Sequence, residues 1–167
     1  MSAAANSLPD RNDARIRLAQ SADVEALAGL INIAFRVELP FIEGDRVNPG
    51  SVREYMKKGK FLLAEDSVGS AGCVYVEVRG DRGYLGLLGV EPRCQGTGLG
   101  RKLMDAAEDF FCNANCVAID LRIVSAREPL HRFYRHLGYV ETGRAPLPPD
   151  SPVKVPCHFI LMSKMLI

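Results

Sequence analysis

The residues best placed to do chemistry begin at Gln95-Gly96-Thr97-Gly98-Leu99-Gly100, where glycines stand at alternate positions between an apolar run and an amphipathic stretch. Glycines spaced this way strip side chains from a bend, allow positive φ, and let backbone N–H groups come close to a ligand. The helix that opens near Gly98 adds unpaired N–H donors and the positive end of its dipole, which together suit an anion. Its charges run against the usual order, with Arg101 and Lys102 in the first turn and Glu108 and Asp109 towards the end. Isolated helices prefer the reverse by about 0.3–1 kcal/mol per charge, and a phosphate bound at the start removes that deficit. Two rival loop patterns fail. G-x-G-x-x-G counted from Gly96 requires glycine where Arg101 stands, and the P-loop requires lysine directly after Gly100.

Other reactive side chains are scattered. His131, His136 and His158 are of a residue type that can serve as a base, and His131 lies three residues before Tyr134 on one helix face, yet each reads as a surface histidine. Cys94 precedes the glycine turn without a paired base and reads as a small loop residue. The five cysteines form no C-x-x-C pair and no zinc-like arrangement with histidine, so reduced thiols and no metal are expected.

Composition sets the outer bounds. A chain of 167 residues fits one domain with its own core. A formal charge of +1 gives no electrostatic case for nucleic acid or an acidic membrane, so anion recognition must be local. With no apolar stretch long enough to span a membrane and no apolar signal core behind Met1, a cytoplasmic protein is expected. Residues 1–14 read as a flexible tail, and 15–167 as a single domain.

The elements that must hold the glycine turn follow from periodicity. Arg15 to Leu18 reads as a strand; Ser21 caps a helix whose apolar face is Val24, Leu27, Ile31, Ala34 and Phe35. Arg36 to Gly50 reads as a loop or broken helix, followed by a short helix with Ser51 as cap, Glu54 reaching back, and Gly59 as its end. Lys60 to Glu65, Ala71 to Arg79 and Tyr84 to Val90 read as an antiparallel meander. After the turn, Leu99, Leu103, Ala106, Ala107 and Phe110 mark a helix face, and Val117, Ile119, Leu121 and Ile123 alternate as a strand. Pro129 opens a helix with Leu130, Phe133 and Leu137 inward and Gly138 as its stop. Tyr139 to Thr142 and Cys157 to Met165 are strands joined by the proline-rich Pro146 to Pro156. The order β-α-α-β-β-β-α-β-α-β-β is mixed α/β, a central sheet with helices over its faces.

On these residues the span Arg15 to Leu166 resembles the GNAT superfamily of acyl-CoA-dependent N-acyltransferases. Gln95 to Gly100 is similar to its Q/R-x-x-G-x-G/A acetyl-CoA signature, and Tyr134-Arg135-His136-Leu137-Gly138-Tyr139 to its YxxxGF/Y segment, in the same order along the chain. The resemblance implies a mostly antiparallel sheet whose fourth and fifth strands splay apart, with the pantetheine arm of acetyl-CoA between them. Backbone groups of Leu88, Gly89 and Val90 then pair with pantetheine and the acetyl carbonyl. N–H groups of Gln95, Gly96, Thr97, Gly98, Leu99, Gly100 and Arg101 take the diphosphate.

The resemblance also implies chemistry, the transfer of acetyl from acetyl-CoA to a primary amine by direct attack in a ternary complex, with Tyr134 as general acid at the sulfur. The family's strand-borne glutamate aligns with Tyr84, so the base is open among Glu77, Glu38, Glu43 or none. Arg127 stands where many relatives carry asparagine. The acceptor is open, as are acyl groups other than acetyl and a homodimer built on an exposed C-terminal strand. A non-catalytic acyl-CoA-binding module is the alternative.

Overall fold

The computed structural model describes residues 13–166. Strand β1 (Arg15–Leu18) leads into α1 (Val24–Ala34), α2 (Pro49–Lys58), the meander β2 (Lys60–Glu65), β3 (Ser70–Arg79) and β4 (Arg82–Val90), and then α3 (Leu99–Asn113). Strand β5 (Ala118–Val124), α4 (Glu128–His136), β6 (Val140–Pro146) and β7 (His158–Met165) complete the chain. This is the element order that periodicity predicts. One seven-stranded sheet runs β1-β2-β3-β4-β5-β7-β6, antiparallel at every pair except β4 with β5.

Two apolar layers sandwich the sheet. Leu103, Met104, Ala107 and Phe111 of α3 pack with Val74, Val76 and Leu85 on one face, while Leu27 and Ile31 of α1 and Val52 of α2 pack with Phe61, Cys73 and Tyr75 on the other. Strand β3 is therefore apolar on both sides, the signature of a strand covered by helices above and below. Each fully buried leucine, isoleucine or phenylalanine here contributes about 1.5–3 kcal/mol. The close seating of α3 depends on Gly83, where an added Cβ would lie 2.4 Å from the Phe111 ring.

The pairing of β4 with β5 covers only Arg82↔Ala118 to Tyr84↔Asp120, after which the strands part. A bulge lies just beyond. Cys73 pairs with Gly89 but Tyr75 with Gly86, so Leu87 and Leu88 both stand opposite Val74, and Leu87 takes φ +50°. The splay that the family resemblance implies is thus present, at the end of β4 that leads to the glycine turn.

Several local readings are corrected. The cap before α1 is not Ser21; Ser21–Asp23 form a 3-10 turn, and the Asp23 carboxylate accepts from the Gln20 N–H at 2.7 Å. Helix α2 begins at Pro49 inside the expected loop, because proline suits a first helical position. Its cap is Asn48, which exchanges two 2.9 Å hydrogen bonds with Ser51, and Glu54 pairs with Lys57 rather than reaching back. On α3 the fully buried aromatic is Phe111, with Phe110 packed at the flank. The C-terminal strand is not exposed, since β7 lies between β5 and β6 and pairs with both. Of the expected tail, only Asp13 and Ala14 fall within the described residues; Ala14 is buried, and its carbonyl accepts from Lys102.

Candidate active site

The glycine turn is held by short-range bonds that leave its own donors free. Cys94 N–H donates to the Glu91 carbonyl, Gln95 N–H to Pro92 at 3.3 Å, and Thr97 Oγ1 to Cys94. Gly96 and Gly98 take φ +75° and +84°, with nothing within 4 Å of where a Cβ would stand. Helix α3 starts at Leu99 with no side-chain cap and no acid in its first turn. Among the described residues, the N–H groups of Gly96, Thr97, Gly98, Leu99, Gly100 and Arg101 donate to no protein acceptor. Unpaired donors gathered at a helix start are suited to receiving an anion such as a phosphate. Gln95 differs from its neighbours, since its N–H is used within the turn and its side-chain Nε2 donates to the Val90 carbonyl at 3.2 Å. Gly100 has another task, because a Cβ there would touch Phe133 of α4 at 3.6 Å.

The free edge of β4 leads from this turn into the gap. Glu91 N–H donates to Ala71 of β3, and strand alternation then turns the backbone groups of Gly89 towards β3 and those of Leu88 and Val90 towards the gap. Gly89 also admits α1, as a Cβ there would lie 3.0 Å from Ala34.

At the far end of the gap, α1, β4, β5, α4 and β7 enclose a cavity of about 340 Å³ whose wall includes Phe35, Glu38, Tyr84, Leu88, Tyr134 and Phe159. Its roof is two loops zipped together, with Ile42 bridging Val153, Glu43 N–H donating to Pro152, and Lys154 N–H to Phe41. Tyr134 is buried on α4 with its ring edge-on to Phe133 and Tyr139. Burial pushes its phenol well above its ordinary value, so the hydroxyl keeps its proton at any physiological pH. Glu38 is a rare buried acid, and Arg127 Nη1 reaches its carboxylate at 3.4 Å.

The structure thus gathers Leu88, Tyr134, Glu38 and Glu43 at one cavity and leaves other candidates outside it. Glu77 is buried but its carboxylate is taken by Arg79 at 2.5 Å, and it does not line the cavity. His131 Nε2 lies 3.7 Å from Glu141, away from the cavity. Burial raises the Cys94 thiol, which lies 3.7 Å from the Asp66 carboxylate, and this makes a poor nucleophile. Sequence reasoning missed Arg122 and Phe159 in the cavity wall. The signal available was strand alternation, which sets them on the face opposite Leu121 and Ile160, on two strands that only tertiary pairing makes neighbours.

Known proteins share this fold. Residues 41–146 match the family model described as an acetyltransferase (GNAT) domain. The chain is similar to mycothiol acetyltransferase of Propionibacterium freudenreichii, 29% identical over 106 residues that cover 58% of this chain and 34% of that protein. The matched stretch is thus about a third of the length of that curated relative. Among solved structures, the fold is similar to Ard1 from Thermoplasma volcanium, with TM-score 0.78, 17% identity, and 92% and 98% of the two chains covered. It is also similar to yncA from Salmonella typhimurium, solved with its cofactor acetyl-CoA, with TM-score 0.71, 20% identity, and 93% and 95% covered.

Proposed function

The chain belongs to the GNAT acetyltransferase family, and from that premise we propose that it transfers acetyl from acetyl-CoA to a primary amine by direct attack in a ternary complex. The observation that carries the reading is continuity: a run of free N–H donors from Gly96 to Arg101, an open strand edge at Leu88 and Val90, and a cavity at the end of that edge. The residues fit the cosubstrate, since the glycine turn suits a diphosphate and the gap suits an amide-bearing arm that pairs as a strand would.

Acetyl-CoA supplies an activated thioester. The chain's part is to hold it, to strip one proton from the incoming ammonium, and to offer hydrogen bonds where charge develops. The amine nitrogen bonds to the thioester carbon, the carbon–sulfur bond breaks, one amine proton is released and a second ends on sulfur as the thiol. Leu88 N–H is the backbone donor suited to the oxyanion. Glu38, buried and held by Arg127, is the base we favour over Glu43 and Glu77, because it alone of the three is both buried and in the cavity wall. Tyr134 is a donor at the sulfur. With its acidity lowered by burial it steadies the thiolate by a hydrogen bond, and the proton that finally neutralises sulfur comes from the amine.

A panel of small amines, peptide N-termini and lysine peptides, with released thiol detected and acetyl-CoA binding measured alongside, tests the reading. Binding with turnover of at least one amine is the expected result. Binding without any turnover, and no effect of Tyr134→Phe, favours a non-catalytic acyl-CoA-binding module, a reading motivated by the absence of any carboxylate from Tyr84 to Val90. No acetyl-CoA binding removes both.

A further inference from the structure

We propose that the acceptor carries a carboxylate in addition to its amine, and that Arg122 is the residue that recognises it. The inference rests on the acetyl-transfer reading of the cavity and adds a substrate class to it.

Arg122 stands on β5 with its guanidinium 4.5 Å from the Phe159 ring centroid and 6.0 Å from that of Tyr84, and all three residues line the cavity. Among the described residues it makes no ion pair and no hydrogen bond to a carboxylate or carbonyl, whereas its strand neighbour Asp120 is held by Arg82 at 2.6–2.7 Å. The cavity wall carries other charges as well. Buried Glu38 is matched by Arg127, and the exposed Arg36 and Arg46 share their loop with Glu43 and Asp45. Arg122 is thus a cation without a carboxylate partner, carried on a strand in the cavity wall with two aromatic rings that orient the guanidinium plane. A planar guanidinium fork held in this way matches a carboxylate bidentately. The apolar remainder of the wall, from Phe35, Leu39, Ile42 and Phe159, suits the carbon spacer between amine and acid.

The experiment uses the full chain, acetyl-CoA, and matched acceptors: ω-amino acids of increasing length against alkylamines of the same length, and L-phenylalanine against phenethylamine. The expected result is a carboxylated member with kcat/KM at least about tenfold above its matched amine, carried by KM. Arg122→Gln should bring that ratio close to one and Arg122→Lys should restore part of it, with melting temperatures like wild type. Equal use of matched pairs, a preference for the plain amines, a ratio unmoved in Arg122→Gln, or thiol release from no carboxylated amine each overturns the role of Arg122 while donor binding stands. Failure to bind acetyl-CoA overturns the transfer reading beneath it.

Discussion

Arg127 Nη1 lies 3.4 Å from Glu38 Oε1, joining the start of α4 to the 3-10 turn that follows α1 beside the cavity. The pair sets a guanidinium beside a buried carboxylate in the cavity wall. Glu38→Gln is expected to lower kcat/KM by at least tenfold for amines that are protonated at neutral pH, and by less for amines of low basicity. Steady-state kinetics with the two amine classes decides it; an equal loss for both would count against a base.

The same contact makes a stability prediction. Arg127→Met leaves the Glu38 carboxylate buried without its cation and should lower the melting temperature, whereas adding Glu38→Gln should recover part of the loss. Thermal melts of the single and double variants form the cycle, and strict additivity would contradict the pairing.

Gly98 takes φ +84° at the head of α3. Alanine there costs about 1–2 kcal/mol in backbone strain, and aspartate adds a negative charge beside the donors. Acetyl-CoA titrations should give a Kd raised modestly in Gly98→Ala and more than tenfold in Gly98→Asp. Equal affinities for aspartate and wild type would remove the phosphate assignment.

Tyr134→Phe should reduce kcat about 10–100-fold with little change in acetyl-CoA affinity. Burial raises the phenol, so its neutral form persists as pH rises past the range in which an ordinary tyrosine ionises. The pH–rate profile should therefore show no alkaline loss below about pH 10 from this residue. A falling limb near pH 9 that vanishes in the phenylalanine variant would contradict a buried donor.

Acid stability has a definite sign. Arg17 holds the Asp23 carboxylate at about 2 from an ordinary 3.8, and Arg93 and Arg82 lower Asp66 and Asp120 in the same sense. Folded-state values below the unfolded ones mean stability that is complete above about pH 4 and lost as pH falls through the depressed range. Denaturant melts across that window should steepen in wild type and flatten in Asp66→Asn.

The sequence made the element order and the glycine turn with its unpaired N–H groups legible, because both rest on local rules: glycine spacing, alternation and helical periodicity. Asn48 as the cap of α2 was hidden by Ser51-Val52-Arg53-Glu54, which satisfies the capping-box pattern one turn late, and only the fit of Pro49 to a helix start decides between them. The open edge at Leu88 was reached through family resemblance; nothing in Leu87-Leu88 announces a bulge, since two leucines suit either face of a covered strand. Arg122 was invisible for a different reason. Its meaning comes from Phe159, thirty-seven positions away, brought beside it by the β5–β7 register.

The extra residue at Leu87 is a phase shift in β4. Before it Gly83 and Leu85 point towards α3, and after it Leu88 and Val90 do, so odd positions hand over to even ones. An unbroken strand in the upstream phase would keep every side chain packed as far as Leu85 and then present Leu88 and Val90 to the wrong layer, with their backbone groups turned towards β3. The fold thus spends one residue of sequence to let a single strand be paired on both sides along its first half and open on one side along its second.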